Sequence, residues 1–239
     1  HVPFSIFPRV CIYRHKLGRP IKLTSWWPYD QRIMANFGEL VLVLGDVHIP
    51  ERASKIPAPL KRMLVPNKMQ HVICTGNIST EMYEELRTLA PNVHIVAGDF
   101  DTTEMVFPET RVVQVGAFRI GVVHGHQVLP WKNQDAAARM RRKLNVDILI
   151  SGHTHQNEVT LLDESYYHIN PGSITGAFSS LTEQVTPSFI LLAVQDKKVV
   201  CYVYELVNGE VEVSKTDISK SEASQSSSAN SSLMASLLT

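Results

Sequence analysis

The sequence predicts an α/β fold, a four-layer α-β-β-α sandwich of two mixed sheets, and three observations carry that prediction. Short apolar runs, led by residues 40–44, have the unbroken hydrophobicity of strands buried on both faces, the pattern of a parallel sheet covered by helices. Stretches with helix caps and helical spacing lie between several of these runs. Beyond residue 150 the runs are joined by tight turns, the mark of antiparallel pairing. At 239 residues and 44% hydrophobic content the chain can bury one good core, so one domain is expected.

Residues 1–33 carry Arg9, Arg14, Lys16, Arg19, Lys22 and Arg32 against the acid Asp30, without a clear period and interrupted by Pro3, Pro8, Pro20 and Pro28. They are expected to be a leader outside the fold, with Met34 the natural start and residues 34–213 the domain. Residues 40–44 end at Gly45, which lets the backbone leave the sheet just before Asp46 and His48. A loop and short helix with Pro57, Pro59 and Pro66 follow, then a second buried strand over 71–74 that runs into Thr75-Gly76-Asn77. Ser79 or Thr80 caps the next helix, which has Glu81 in its first turn, Leu86 and Leu89 toward the core, and Pro91 as its stop. A strand over 93–96 leads to Gly98-Asp99-Phe100-Asp101. Residues 111–115 and 118–123 read as a hairpin turning at Gly116 and ending at His124-Gly125-His126.

A helix is expected over 134–144, with Arg139, Arg141, Arg142 and Lys143 late, where positive charge suits the helix dipole. A buried strand over 146–150 then reaches Ser151-Gly152-His153-Thr154-His155. Strands over 159–162, 166–169, 189–194 and 199–206 are expected to form an antiparallel second sheet, and Asn170-Pro171-Gly172-Ser173 reads as a turn. Residues 214–239 are expected to be a Ser-rich disordered tail whose end, 233–238, frays.

Composition narrows the function. Formal net charge is zero, from 23 basic and 23 acidic residues, which removes any bulk electrostatic case for nucleic acid or an anionic membrane as partner. No apolar run approaches the length of a membrane span. Cys11, Cys74 and Cys201 are odd in number and widely separated, as reduced thiols of a cytosolic protein would be.

Five successive strands end in groups that can ligate a metal: Asp46 and His48, Asn77, Asp99, His124, then His153 and His155. Each alone reads as a turn former or a satisfied histidine. Their recurrence points to one cleft, because a parallel sheet gathers the carboxyl ends of neighbouring strands. Mixed imidazole and carboxylate donors suit Zn²⁺, Mn²⁺ or Fe better than Ca²⁺ or Mg²⁺. Seven donors exceed one tetrahedral ion and fit two ions sharing a bridge, an arrangement that clamps a phosphate for in-line displacement.

Gly-Asp-x-His, Gly-Asn, Gly-Asp-x-Asp, His-Gly-His and Gly-His-Thr-His, in this order, resemble the motif series of the calcineurin-like metallophosphoesterases, over roughly residues 34–213. The resemblance implies that Asp46, His48 and His155 hold one divalent ion, Zn or Mn, and Asp99, His124 and His153 the other, with Asn77 between them. Active members of the family place Asp at the bridge and Asn after the third strand, whereas this chain has the two exchanged. Many also carry a proton-donating His where this chain has Phe100, read here as a packed aromatic that leaves Asp101 with nothing to orient.

Within the family the match is to the branch that serves retromer, the coat that retrieves cargo from endosomes. It implies a non-catalytic scaffold in endosome-to-Golgi retrograde and recycling transport, cytoplasmic and peripheral on endosome membranes through its complex. The metal-site face would pack against a helical-repeat retromer subunit. A separate apolar surface, matching Leu129, Leu191, Tyr202 and Tyr204, would receive regulators such as sorting nexins and Rab GTPase-activating proteins. The alternative is a working divalent-metal-dependent phosphodiesterase, with His126 or solvent moving the proton. A purely structural His126 would instead be hydrogen-bonded behind His124.

Overall fold

A computed structural model describes residues 11–14, 20–23, 38–101, 106–163 and 165–220. Alternation along the central strand β3 (Glu39–Leu44) decides the layering. Leu40, Leu42 and Leu44 pack in one apolar cluster with Leu60, Met82, Leu86 and Leu89, while Val41 and Val43 join a second with Phe118, Ile120, Val122, Ile148 and Ile150. A third cluster gathers Val123 and Leu149 with Ala137 and Ala138. Three apolar seams between four layers are what a two-sheet sandwich with outer helices requires.

The larger sheet has the order β2-β1-β13-β12-β11-β3-β4-β5. Its strands are β1 (Cys11–Arg14), β2 (Pro20–Leu23), β3, β4 (His71–Cys74), β5 (Asn92–Ile95), β11 (Ser188–Gln195), β12 (Lys198–Val207) and β13 (Glu210–Ser219). β3, β4 and β5 are parallel, and β11 to β13 return antiparallel from β3. The smaller sheet runs β6-β7-β8-β10-β9, built from β6 (Thr110–Val115), β7 (Phe118–Val123), β8 (Ile148–Ile150), β9 (Asn157–Leu162) and β10 (Tyr166–Pro171). Here β7, β8 and β10 are parallel, and β6 and β9 close the edges antiparallel.

The helices are α1 (Ala58–Lys61), α2 (Thr80–Leu89) and α3 (Gln134–Leu144). Ser79 caps α2 by accepting the Met82 N–H, and Asn133 caps α3 by accepting the Ala136 N–H. α3 ends on Asn145 in the left-handed conformation, with three basic residues in its last turn.

Three expectations change. The strands beyond residue 150 do not form one sheet: β9 and β10 extend the smaller sheet, and β11 and β12 cross to the larger one. A period of two reports which faces are buried, not which strand lies alongside. The domain runs past residue 213, since β13 pairs with β12 as far as Ser219. The leader also contributes, because β1 adds in parallel to the open edge of β13, where an unpaired row of backbone groups accepts a strand, and β2 pairs with β1. Met34 and residues 221–239 lie outside the described residues. Cys74 and Cys201 are free and buried, and burial pushes the Cys201 thiol up to about 12.

Candidate metal centre

The site lies where the carboxyl ends of β3, β4 and β5 in one sheet face those of β7 and β8 in the other. It is therefore an inter-sheet cleft, not the edge of one parallel sheet as expected. Glycines let the chain segments meet: a Cβ at Gly45 would lie 1.7 Å from Thr75 Oγ1, and one at Gly98 would lie 2.1 Å from Asn77 Oδ1. Asp46, His48, Asn77, His153 and His155 all take positive φ, between 45° and 70°. Such backbone costs about 1–3 kcal/mol at each non-glycine residue and persists only where its surroundings over-determine it. They do here. Asp46 accepts the His153 N–H on Oδ2 at 2.8 Å and the Ser173 hydroxyl on its carbonyl at 2.6 Å, and the His48 N–H bonds the Asn77 carbonyl at 3.0 Å.

Two triads result, Asp46 with His48 and His155, and Asp99 with His124 and His153. In each, the candidate ligand atoms lie within 4.8 Å of one another. The ring tautomers are set from behind. His124 Nδ1 donates to the Thr75 carbonyl and His155 Nδ1 to the Ala177 carbonyl, both at 2.7 Å, which turns each Nε2 lone pair into the cleft. Asp46 Oδ1 and His153 Nε2 are buried with no hydrogen-bond partner. A fully buried carboxylate oxygen whose facing imidazole nitrogens stand 3.8 and 3.9 Å away, beyond hydrogen-bond reach, is the donor a cation would satisfy. The residues fit a divalent ion in each triad.

Electrostatics agree. Burial pushes the Asp46 carboxyl up against the pull of His124 and His155. Burial, then the charge of Arg52, pulls His48 down to about 3, leaving a neutral imidazole ready to ligate. At His124 burial opposes protonation, but the 2.8 Å contact with Asp99 and the charge of Asp46 outweigh it, and the pKa rises. With Nδ1 committed to Thr75, the facing pair of His124 Nε2 and Asp99 Oδ1 needs a positive charge between them, a proton or a metal ion.

Asn77 sits between the triads, at the bridging position expected of it. Its Oδ1 accepts the Phe100 N–H at 2.9 Å, so Nδ2 faces His48 Nε2 at 3.1 Å, Asp99 Oδ1 at 3.1 Å and His124 Nε2 at 3.2 Å. The amide orientation is assigned from that Phe100 contact, since the reverse would set two donors together. Asn77 clasps the triads by hydrogen bonds.

Other residues also take unexpected places. Phe100 is 58% exposed, its ring 5.6 Å from His48, instead of packed. Asp101 is not idle: it accepts the Ile78 and Gly98 N–H groups at 2.9 and 2.6 Å and ties the β4 and β5 loops together. Ser173, at the end of the stretch read as a turn, supports Asp46 from behind. His126 makes no bond behind His124, a role held by Thr75, and its Nδ1 has no partner.

Of the four residues expected to receive regulators, Leu191, Tyr202 and Tyr204 stand together on one face of the larger sheet and Leu129 lies apart. Leu191 and Tyr204 are buried in the core, Tyr204 stacked on Phe189 at 4.7 Å, and Tyr202 is half-buried on the same sheet. Leu129, 61% exposed, lies on the loop with Trp131, whose ring is 4.9 Å from His153. It belongs with the cleft. No short-range pattern separates these four residues, because their exposure is decided by what packs over the strands.

Residues 40–197 match the model of the calcineurin-like phosphoesterase superfamily domain. Vacuolar protein sorting-associated protein 29 of Schizosaccharomyces pombe is 39% identical over 181 residues, which cover 74% of this chain and 96% of that protein. The chain belongs to the Vps29 family. The structure of Vps29 from Cryptosporidium parvum superposes with a TM-score of 0.74 at 44% identity, over 77% of this chain and 100% of that one. Entamoeba histolytica Vps29 complexed with Zn²⁺ is similar at 46% identity and a TM-score of 0.70, over 74% and 98% of the two chains. The superfamily match contains all seven candidate donors and Phe100, so the departures lie inside the Vps29 domain and not at its margins.

Proposed function

We propose that this Vps29-family chain is a non-catalytic scaffold subunit of retromer, in endosome-to-Golgi retrograde and recycling transport. Its two triads hold divalent ions, Zn or Mn, and its metal-site face packs against a helical-repeat subunit. One observation carries the reading. Among the described residues the exposed Phe and Trp side chains are Phe100, Trp131 and Phe178. Phe100 lies against His48, Trp131 against His153, and Phe178 is joined to Arg52, itself stacked on Phe100. With Leu129 they make an apolar collar around a polar cleft. A cluster of exposed aromatics marks a protein-binding face.

Ions held there would supply the positive charge that keeps buried Asp46 ionised, whereas Asp99, despite its partial burial, is already held in the charged form by its contacts with His124 and His153. Asp99 and His153 then hold the loops that present Phe100 and Trp131. The chain would act in the cytoplasm, peripheral on endosome membranes through its complex, with sorting nexins and Rab GTPase-activating proteins as regulators. No helix among the described residues is long and apolar enough to cross a membrane. Calorimetric titration of the zinc-loaded chain with the purified helical-repeat subunit tests the face. Phe178→Asp should abolish binding and Val112→Asp, on β6, should leave it intact. Equal affinity for both variants would sink the reading.

A second reading, a divalent-metal-dependent phosphodiesterase, draws on the same paired triads. It lacks a proton donor at Phe100, and Asp101 is committed to backbone. Turnover of bis-p-nitrophenyl phosphate with excess Mn²⁺, abolished by His124→Ala, would support it, and a rate equal to that variant's background would remove it.

A further inference from the structure

The collar contains one feature that an apolar cover does not suit. Arg52 stands on the turn after β3, where its N–H and that of Ala53 bond the His48 carbonyl at 2.9 and 3.1 Å. The guanidinium lies 4.4 Å above the Phe100 ring, and Nη1 donates to the Phe178 carbonyl at 3.0 Å. Arg52 is thus built into the collar, bridging two of its aromatics. It makes no ion pair among the described residues. The carboxylates on its side of the cleft, Asp46 and Asp99, are turned toward histidines. Lys132, the other cation near the collar, already donates to the Leu181 carbonyl and to Thr182 Oγ1.

A partner that covers the aromatics must also remove water from this guanidinium. Burying it without a counter-charge is costly, and most of its five donors are not used by the chain. A carboxylate offers the matching bidentate geometry, and stacking on Phe100 holds the guanidinium plane for it. We propose that the partner on this face brings an Asp or Glu side chain, set among apolar residues, that pairs with Arg52. This rests on the scaffold reading and specifies what the covering surface carries.

The test titrates the full zinc-loaded chain with the purified helical-repeat subunit, after the zinc content and unfolding temperature of each variant have been matched to wild type. Arg52→Glu should weaken binding about 100-fold or more, because it sets two carboxylates together under the cover. Arg52→Gln, the fallback if the reversal disturbs folding, keeps a donor for the Phe178 carbonyl, and should still lose binding and flatten its dependence on salt. Replacing single Asp or Glu residues of the subunit by Arg should reveal one that restores binding to Arg52→Glu. If Phe178→Asp abolishes binding while Arg52→Glu and Arg52→Gln stay within about threefold of wild type, the inference is overturned and the scaffold reading stands. If Phe178→Asp also binds normally, the scaffold reading falls and this inference falls with it.

Discussion

The two ends of β3, β4 and β5 carry the same chemistry and use it differently. At the amino ends, His71 Nδ1 lies 3.2 Å from His94 Nε2, His71 Nε2 lies 3.1 Å from Glu39 Oε2, and Glu39 Oε1 accepts the Gly116 N–H. A carboxylate can only accept, so one direction satisfies the chain: His94 donates to His71, which donates to Glu39. Both nitrogens of His71 and both oxygens of Glu39 are consumed. At the carboxyl ends, Thr75 and Ala177 take one nitrogen each from His124 and His155, and the remaining donors point into one space with Asp46 Oδ1 unpartnered. Histidines beside acids do not make a metal site. Left-over donor atoms that converge do, and here five left-handed backbone residues arrange that convergence.

The sharpest way to break the comparison is to delete one carboxylate from each end. Asp46→Ala strips the His153 N–H of its acceptor and buried His155 of its facing carboxylate and should cost about 3–5 kcal/mol, with loss of bound zinc. Glu39→Ala should cost about 1 kcal/mol and leave zinc content unchanged. Urea unfolding with metal analysis of both variants reads this directly, and equal losses would erase the distinction. Next in size is zinc itself. At free zinc 100 times its dissociation constant the folded state should gain about 2.7 kcal/mol, raising the unfolding temperature by roughly 5–10 °C. The gain should survive His71→Gln and shrink with His124→Ala, which removes a ligand from one of the two triads, in a scanning calorimeter.

A smaller effect is pH dependence at the closed end. Burial, then the charges of His71 and Arg111, pulls His94 down to about 4. Below its ordinary value of 6.5 the unfolded chain takes a proton that the folded chain refuses, so stability falls from pH 6.5 to about 4 and levels off below. His94→Gln in the zinc-loaded protein should flatten that part of the curve in urea midpoints taken at several pH values. An unchanged slope would mean that the amino-end chain carries no linkage. The smallest expected effect is His71→Gln at pH 7, about 1 kcal/mol by urea unfolding.

Much of the fold was legible because it is local. The helix bounds 134–144, the Ser79 cap and the hairpin turn at Gly116 each follow from residues a few positions apart, and the structure has all three. The seven donors were legible because Asp, His and Asn recur directly after apolar runs. Their grouping into two triads came from the family resemblance. The role of Asp101 was not legible, since its two partners, Ile78 and Gly98, belong to different loops.

The family resemblance marked the loss of a proton donor at Phe100; local period and residue chemistry determined the strands and helices and the donor set. They do so because caps, alternation and ligand type act within one element. The tertiary structure alone decided that the strands split between two sheets, that Leu191 and Tyr204 are core while Leu129 joins the collar, and that Asn77 turns its nitrogen to the site. Those outcomes hang on contacts such as Asp46 with His153, 107 residues apart, or Ser173 with Asp46, 127 apart. Their energies exist only after both segments are in place, so no window along the chain contains them.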